Sequence, residues 1–133
     1  MPRLSHQRKV QIARLAWSWC AARWSKSPVQ AELPKLRCLA RSARHEYYGW
    51  YRQEINLITL NLGNCSRAED IIRTLVHEWC HWGQDCSEHN WNRIEARARR
   101  RDRYWDHPLE RAACRREDRY WAECSAAIRR MYL

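Results

Sequence analysis

The sequence predicts an α+β fold, a small antiparallel sheet of about three strands packed on helices. Three observations predict it. Apolar residues recur at helical spacing from Arg8 to Trp24, two β-rich segments sit between Leu33 and Leu62, and a capped helical segment follows them. At 133 residues the chain suits one domain spanning 1–133, with one modest core. Hydrophobic residues make up 45% and charged residues 30%, a balance that predicts a globular chain rather than a disordered one. The chain has no Phe but 9 Trp and 6 Tyr, so Trp carries much of the packing. Each buried indole N–H then needs an acceptor.

The first element is an amphipathic helix over Arg8–Trp24, with Ile12, Leu15, Ala16 and Trp19 on its apolar side. "SKSPVQ" ends it, since Ser and Pro break the pattern. Tyr47–Arg52 and Ile55–Leu62 read as antiparallel strands, with "RQE" as the turn between them. "KLRCLARS" alternates Leu36, Cys38 and Ala40, which suits a third strand; a short helix is the alternative. Ser66 with Glu69 three residues on forms a capping box, and Asp70 adds charge where the helix dipole favours it. The helix it starts is expected over Arg67–Trp82, with Gly83 as its stop. Two further helices are expected, over Trp91–Arg103 and Pro108–Met131, the second capped by Asp106 or His107.

No signal peptide is visible, and the most apolar stretch, "IARLAWSWCAARW", holds two arginines and is too short to span a bilayer. The expectation is a cytoplasmic protein with no membrane partner. Its seven cysteines form no CxxC pair, so free, buried thiols are expected. The net charge is +10, concentrated in "RIEARARRRDR" and "RAACRREDR". Such a surface suits a nucleic acid, with Trp and Tyr among the arginines near Arg100–Tyr104 and Arg115–Tyr120. The competing reading is a solvated helix face, since Glu95, Asp102 and Glu117 interrupt the arginines.

The chemistry concentrates in "TLVHEWCHWGQD". His77 and His81 are four residues apart, which places both on one helix face, aimed at one ion. Zinc favours imidazole, and a catalytic site uses three protein ligands with one position open. Glu78, about 100° around the helix, is placed to act as general base. This is the HExxH pattern of zinc peptidases. The third ligand must lie downstream, where Glu110, His107, His89, Cys86, Asp85 and Glu88 are candidates. "DHPLERAAC" is the most informative segment: Pro108 starts a helix that fixes the direction of Glu110, and Ala112 and Ala113 let that helix approach closely. Cys80, His81, Cys86 and His89 form an alternative structural zinc set, although Cys80 points away from the His77/His81 face. For an oxyanion, Tyr104, His107 and Tyr120 are candidates.

"HEWCH" followed by "DHPLERAA" resembles the small gluzincin-type metallopeptidases, minimal zincin domains. The resemblance covers roughly Leu33–Cys124. It implies Zn²⁺ as cofactor, His77, His81 and Glu110 as its ligands, Glu78 as the base and a peptide or protein as substrate. The strand segment before the motif is similar to SprT-like domains, which act on DNA-associated proteins and usually use a histidine as third ligand. That would bring in His89 or His107. Two functional expectations follow: a zinc peptidase, latent or active, or a basic nucleic-acid-binding protein whose metal site is structural or vestigial. Substrate pairing along "INLITLNL" or its neighbour is expected of the first.

Overall fold

A computed structural model describes residues 3–41, 47–101 and 106–132. In chain order they form α1 (His6–Arg23), β1 (Lys35–Leu39), β2 (Gly49–Arg52), a 3-10 turn (Gln53–Ile55), β3 (Leu57–Asn61), α2 (Ala68–Trp82), α3 (Glu88–Arg101) and α4 (Pro108–Tyr132). This is the expected small α+β fold. Ser5 starts α1: its hydroxyl accepts the Arg8 N–H at 3.1 Å. The helix buries Ile12, Ala13, Ala16 and Cys20; Ile12 and Ala16 lie on the expected face, whereas Leu15 and Trp19 are only half-buried at its margin.

The sheet is mixed, not wholly antiparallel. Its order is β1-β3-β2, with β2 antiparallel and β1 parallel to β3. The β2–β3 hairpin is the expected one. It folds back so that β3 enters between β2 and β1, and β3 therefore runs in the direction of β1. The turn is longer than "RQE": a 3-10 turn over Gln53–Ile55, followed by Asn56, joins Arg52 to Leu57, so Ile55 lies in the turn and not in β3. Asn56 takes a left-handed conformation (φ 48°), which asparagine tolerates better than most residues. Its side chain donates to the Glu32 and Leu33 carbonyls at 3.0 and 3.1 Å and accepts the Tyr51 hydroxyl at 3.0 Å. One side chain thus ties the turn to the segment leading into β1.

The layer over the sheet is α2, packed against α1, α4, β2 and β3. Its start differs from expectation by one residue. Arg67 is the cap, so the third helical position is Asp70, not Glu69. Asp70 accepts the Arg67 backbone N–H at 3.1 Å and the Ser66 hydroxyl at 3.4 Å. Glu69 is released to pair with Arg73 at 2.8 Å. Gly83 does end α2, but at φ −86° it does not use the left-handed conformation. Glycine is needed instead at Gly49. A Cβ there would lie 2.8 Å from the Thr59 carbonyl oxygen and 2.8 Å from the Thr74 methyl of α2. That close approach brings β2 against the histidine helix.

The core is rich in tryptophan, and its indoles are satisfied as expected. Trp17 donates to the Pro34 carbonyl at 2.9 Å, Trp79 to Trp24 at 3.1 Å and Trp82 to Glu32 at 3.0 Å. The Trp79 ring meets Trp17 and Trp82, both at 5.5 Å between centroids. All seven cysteines are free; four are buried, Cys38 and Cys86 are half-buried and Cys114 is exposed. The expected free thiols are present, but full burial holds for only four of them. Helix α3 starts a turn earlier than expected, because Ser87 supplies the cap: its carbonyl accepts the Trp91 N–H at 2.8 Å and its hydroxyl the Asn90 N–H at 3.4 Å. The expected end of α3 at Arg103 lies outside the described residues. Among the described residues, no helix is long and apolar enough to cross a membrane.

Candidate metal centre

Helix α2 presents His77 and His81 on one face, with ring centroids 5.1 Å apart. Helix α4 packs across them, and its buried Ala113 leaves room for the approach. One turn before Ala113, Glu110 reaches between the two rings. Its Oε2 is 3.3 Å from His77 Nε2, and its Oε1 is in contact with His81 Nε2. One nitrogen from each imidazole and one carboxylate oxygen all lie within 4.8 Å of one another. In a tetrahedral site with zinc–ligand bonds of about 2.0–2.1 Å, ligand atoms are about 3.3 Å apart. Two imidazoles and a carboxylate are a donor set that could hold a zinc ion once the side chains close from 4.8 Å to that spacing.

The far side of each ring is also held. His77 Nδ1 lies 3.1 Å from Glu117 Oε1 and His81 Nδ1 lies 2.6 Å from Gln84 Oε1. Both acceptors favour a proton on Nδ1, which leaves the Nε2 lone pairs for the shared point. Gln84 is itself fixed by donating to the Leu109 carbonyl at 3.1 Å. Glu117 is fixed by Arg73, at 3.2 Å, and Arg73 in turn binds Glu69 at 2.8 Å and Asp118 at 3.0 Å. The Arg73 guanidinium also lies over the Trp121 ring at 4.5 Å.

The electrostatics reflect this crowding. Burial disfavours the charged form of His77, but hydrogen bonds to Glu110 and Glu117 prevail and raise its pKa to about 9. His81 follows the same balance. Burial opposes its charge, and contacts with Cys86 and Glu110 lift it to about 11. Glu110, bonded to both imidazoles, is held well below the carboxylate range. Without a metal, the cluster is a carboxylate clamped by two imidazolium rings, a charge pattern that one divalent cation replaces when both protons leave. Glu78 is 8% exposed, and burial pushes it up to about 7, although the two histidines pull the other way.

These groups line a cavity of about 640 Å³ that also exposes Tyr48, Gly49 and Trp50, from β2 and the segment before it. Since β3 is the central strand, it is not the edge for a substrate; its neighbour β2 is the edge beside the histidines. Glu110 keeps 44% of its side chain exposed, so the cluster opens toward this cavity.

Several sequence candidates fall outside the cluster. His107 stacks on Trp91 at 3.7 Å, donates from Nε2 to the Trp91 carbonyl at 3.0 Å and accepts the Leu109 N–H on Nδ1 at 3.2 Å. Both its nitrogens are used in capping α4 and holding α3, so it neither joins the cluster nor faces an oxyanion. His89 and Glu88 are exposed on α3, and Asp85 is occupied by Gln53 and the Ser87 N–H. Cys86 lies 3.8 Å from His81 Nδ1, the nitrogen that faces away from Glu110. The set Cys80, His81, Cys86 and His89 is not assembled: His77, His81 and Glu110 are the one such group among the described residues. Tyr120 packs edge-on against Trp24, 5.1 Å away on the α1 side, and is no part of the cavity. Tyr104 lies outside the described residues.

Glu117, Arg73 and Gln84 escaped the sequence reading. The signal was present: Glu69, Arg73 and His77 recur every four residues, and Glu117 lies two turns from Glu110 on the same helix face. Glu117→Gln is expected to weaken zinc binding about 10–100-fold, the usual cost of losing a carboxylate behind a histidine ligand. Titration against a chromophoric chelator measures it, and an unchanged affinity would show that Glu117 serves packing alone. No family model, curated protein or solved structure matches this chain.

Proposed function

We propose that the chain is a zinc-dependent peptidase of the small gluzincin type. The observation that carries this reading is the convergence of His77, His81 and Glu110 beside a buried Glu78 in one open cavity. The element order, with strands, histidine helix and glutamate helix in sequence, supports the same resemblance. The SprT-like alternative needs a third histidine. His89 is exposed and His107 is committed to Trp91 and Leu109, which favours Glu110.

When bound, zinc supplies Lewis acidity that polarises a substrate carbonyl and lowers the pKa of water. The protein's residues do the rest. Glu117 and Gln84 orient the imidazoles. Glu110 supplies negative charge and leaves one side open. Glu78, one residue after the first histidine and buried at the cavity, would accept a proton from the attacking water and return it to the departing amine. Among the described residues β2 is the outer strand beside the cavity, and an extended peptide would lie along it as an added strand.

The test is direct. The protein loaded with zinc is expected to hold one ion per chain and to cleave an unfolded polypeptide, and Glu78→Gln is expected to keep the ion and lose cleavage. Cleavage that survives in Glu78→Gln would remove this reading.

A further inference from the structure

Helix α3 buries none of its residues and carries five arginines, three of them in its last turn. Its charges are sorted by side. At about 100° per residue, Arg93, Arg97, Arg100 and Arg101 fall within one arc of about 100°. Glu88 and Glu95 lie on the opposite side, where Glu95 pairs with Arg99 at 3.1 Å. The Glu95–Arg99 pair is the one the solvated-face reading expects, and it leaves Arg93, Arg97, Arg100 and Arg101 on the other side of the helix. Across a groove lined by Ile94, Ala98 and Pro108, Arg111 of α4 joins Arg97 and Arg101, with Asp106 as the one acidic residue of that lining. All five arginines of the strip and groove are exposed.

We propose that this arginine strip is a docking surface for the phosphate backbone of a nucleic acid, bound without regard to base sequence. Charge complementarity selects the partner. Guanidinium groups meet phosphate oxygens in bidentate pairs, and successive arginines at four-residue spacing rise about 6 Å along the helix, so one rigid rod presents several cations to one polyanion. Arg93 donates to Asn90 at 2.6 Å, and the guanidinium groups that follow it supply donors suited to phosphate oxygens. Its place gives it a use. It begins two residues after Trp91, which lines the cavity and stacks on His107 at 3.7 Å. A nucleic acid on α3 would therefore be held next to the candidate metal centre, and proteins bound to it would be presented there. The surface itself does not depend on the peptidase reading, so either can fail alone.

The experiment uses the full chain and a fluorescently labelled random-sequence 20-base-pair DNA duplex, titrated between 25 and 200 mM salt. Four to five phosphate contacts predict a log–log salt slope of about −4. Arg97→Gln/Arg100→Gln/Arg101→Gln is expected to flatten that slope by about 3 and to lower affinity more than about 30-fold at low salt. Arg3→Gln/Arg8→Gln/Arg14→Gln, which removes the same charge around the start of α1, is expected to change affinity less than about 5-fold. Circular dichroism confirms that both variants remain folded. Equal losses in the two variants would mean bulk charge rather than a site and would overturn the proposal. So would displacement of the duplex by poly-glutamate at equal charge, which would make the partner an acidic protein, or no binding at 25 mM salt.

Discussion

Glu110→Ala is expected to abolish tight zinc binding and peptide hydrolysis together, whereas His107→Ala keeps both. Glu110 is the one group that touches both imidazole Nε2 atoms. Removing it leaves two nitrogens, and two ligands hold zinc far more weakly than three. The loss should exceed the roughly 100-fold ceiling typical of residues one layer behind the metal. His107→Ala instead removes the acceptor for the Leu109 N–H and the ring stacked on Trp91. Its cost falls on stability, about 1–2 kcal/mol from the lost cap and stacking. Zinc titration and thermal melting of both variants separate the two effects. Full zinc affinity in Glu110→Ala would move the third ligand elsewhere and end the gluzincin assignment.

Glu78→Gln is expected to lower the hydrolytic rate by about 10²–10⁴-fold while zinc stays bound. The same substitution has a second, independent consequence in the metal-free protein. Burial raises Glu78 from its ordinary 4.5 to about 7, so the folded state favours its neutral form. A carboxyl shifted this way loses stability for the fold as pH rises from 4.5 through 7. Glutamine carries no charge to bury, so Glu78→Gln is expected to melt higher than the parent at pH 8.

The histidines add to the same trend. His77 and His81 are raised to about 9 and about 11, so the stability they contribute is complete below 6.5 and lost as pH rises through the higher values. The metal-free protein should therefore melt at progressively lower temperature from pH 6.5 to 10, and zinc should reverse the trend because it binds the deprotonated rings. Melting curves with and without a chelator read this out. A flat profile in the metal-free protein would contradict the described His–Glu–His clamp.

Much of this was legible in the residues because it is local. The four-residue spacing of His77 and His81 fixes a shared helix face, and Pro108 with Ala113 sets the direction and closeness of α4. The turn residues around Arg52–Asn56 likewise mark the hairpin, although the left-handed Asn56 that anchors it leaves only a weak trace. What was illegible is long-range. Nothing local says that β3 enters between β1 and β2, so the parallel pairing and the identity of the edge strand emerge only from the assembled sheet. The same holds for Glu117 and Arg73. Each looks like a member of a surface ion pair until α2 and α4 are brought together and Glu117 turns to His77. His107 shows the converse: a residue with metal-ligand chemistry is spent on holding α3 to α4.

The most direct measurement of the central claim is the coordination of zinc in the loaded protein, by crystallography at the zinc absorption edge. The account predicts one ion bonded to Nε2 of His77, Nε2 of His81 and a carboxylate oxygen of Glu110, at about 2.0–2.2 Å, with Glu78 beside it and not bonded to it. An ion held by Cys80 or Cys86, or by His89 or His107 with Glu110 turned to solvent, would contradict it.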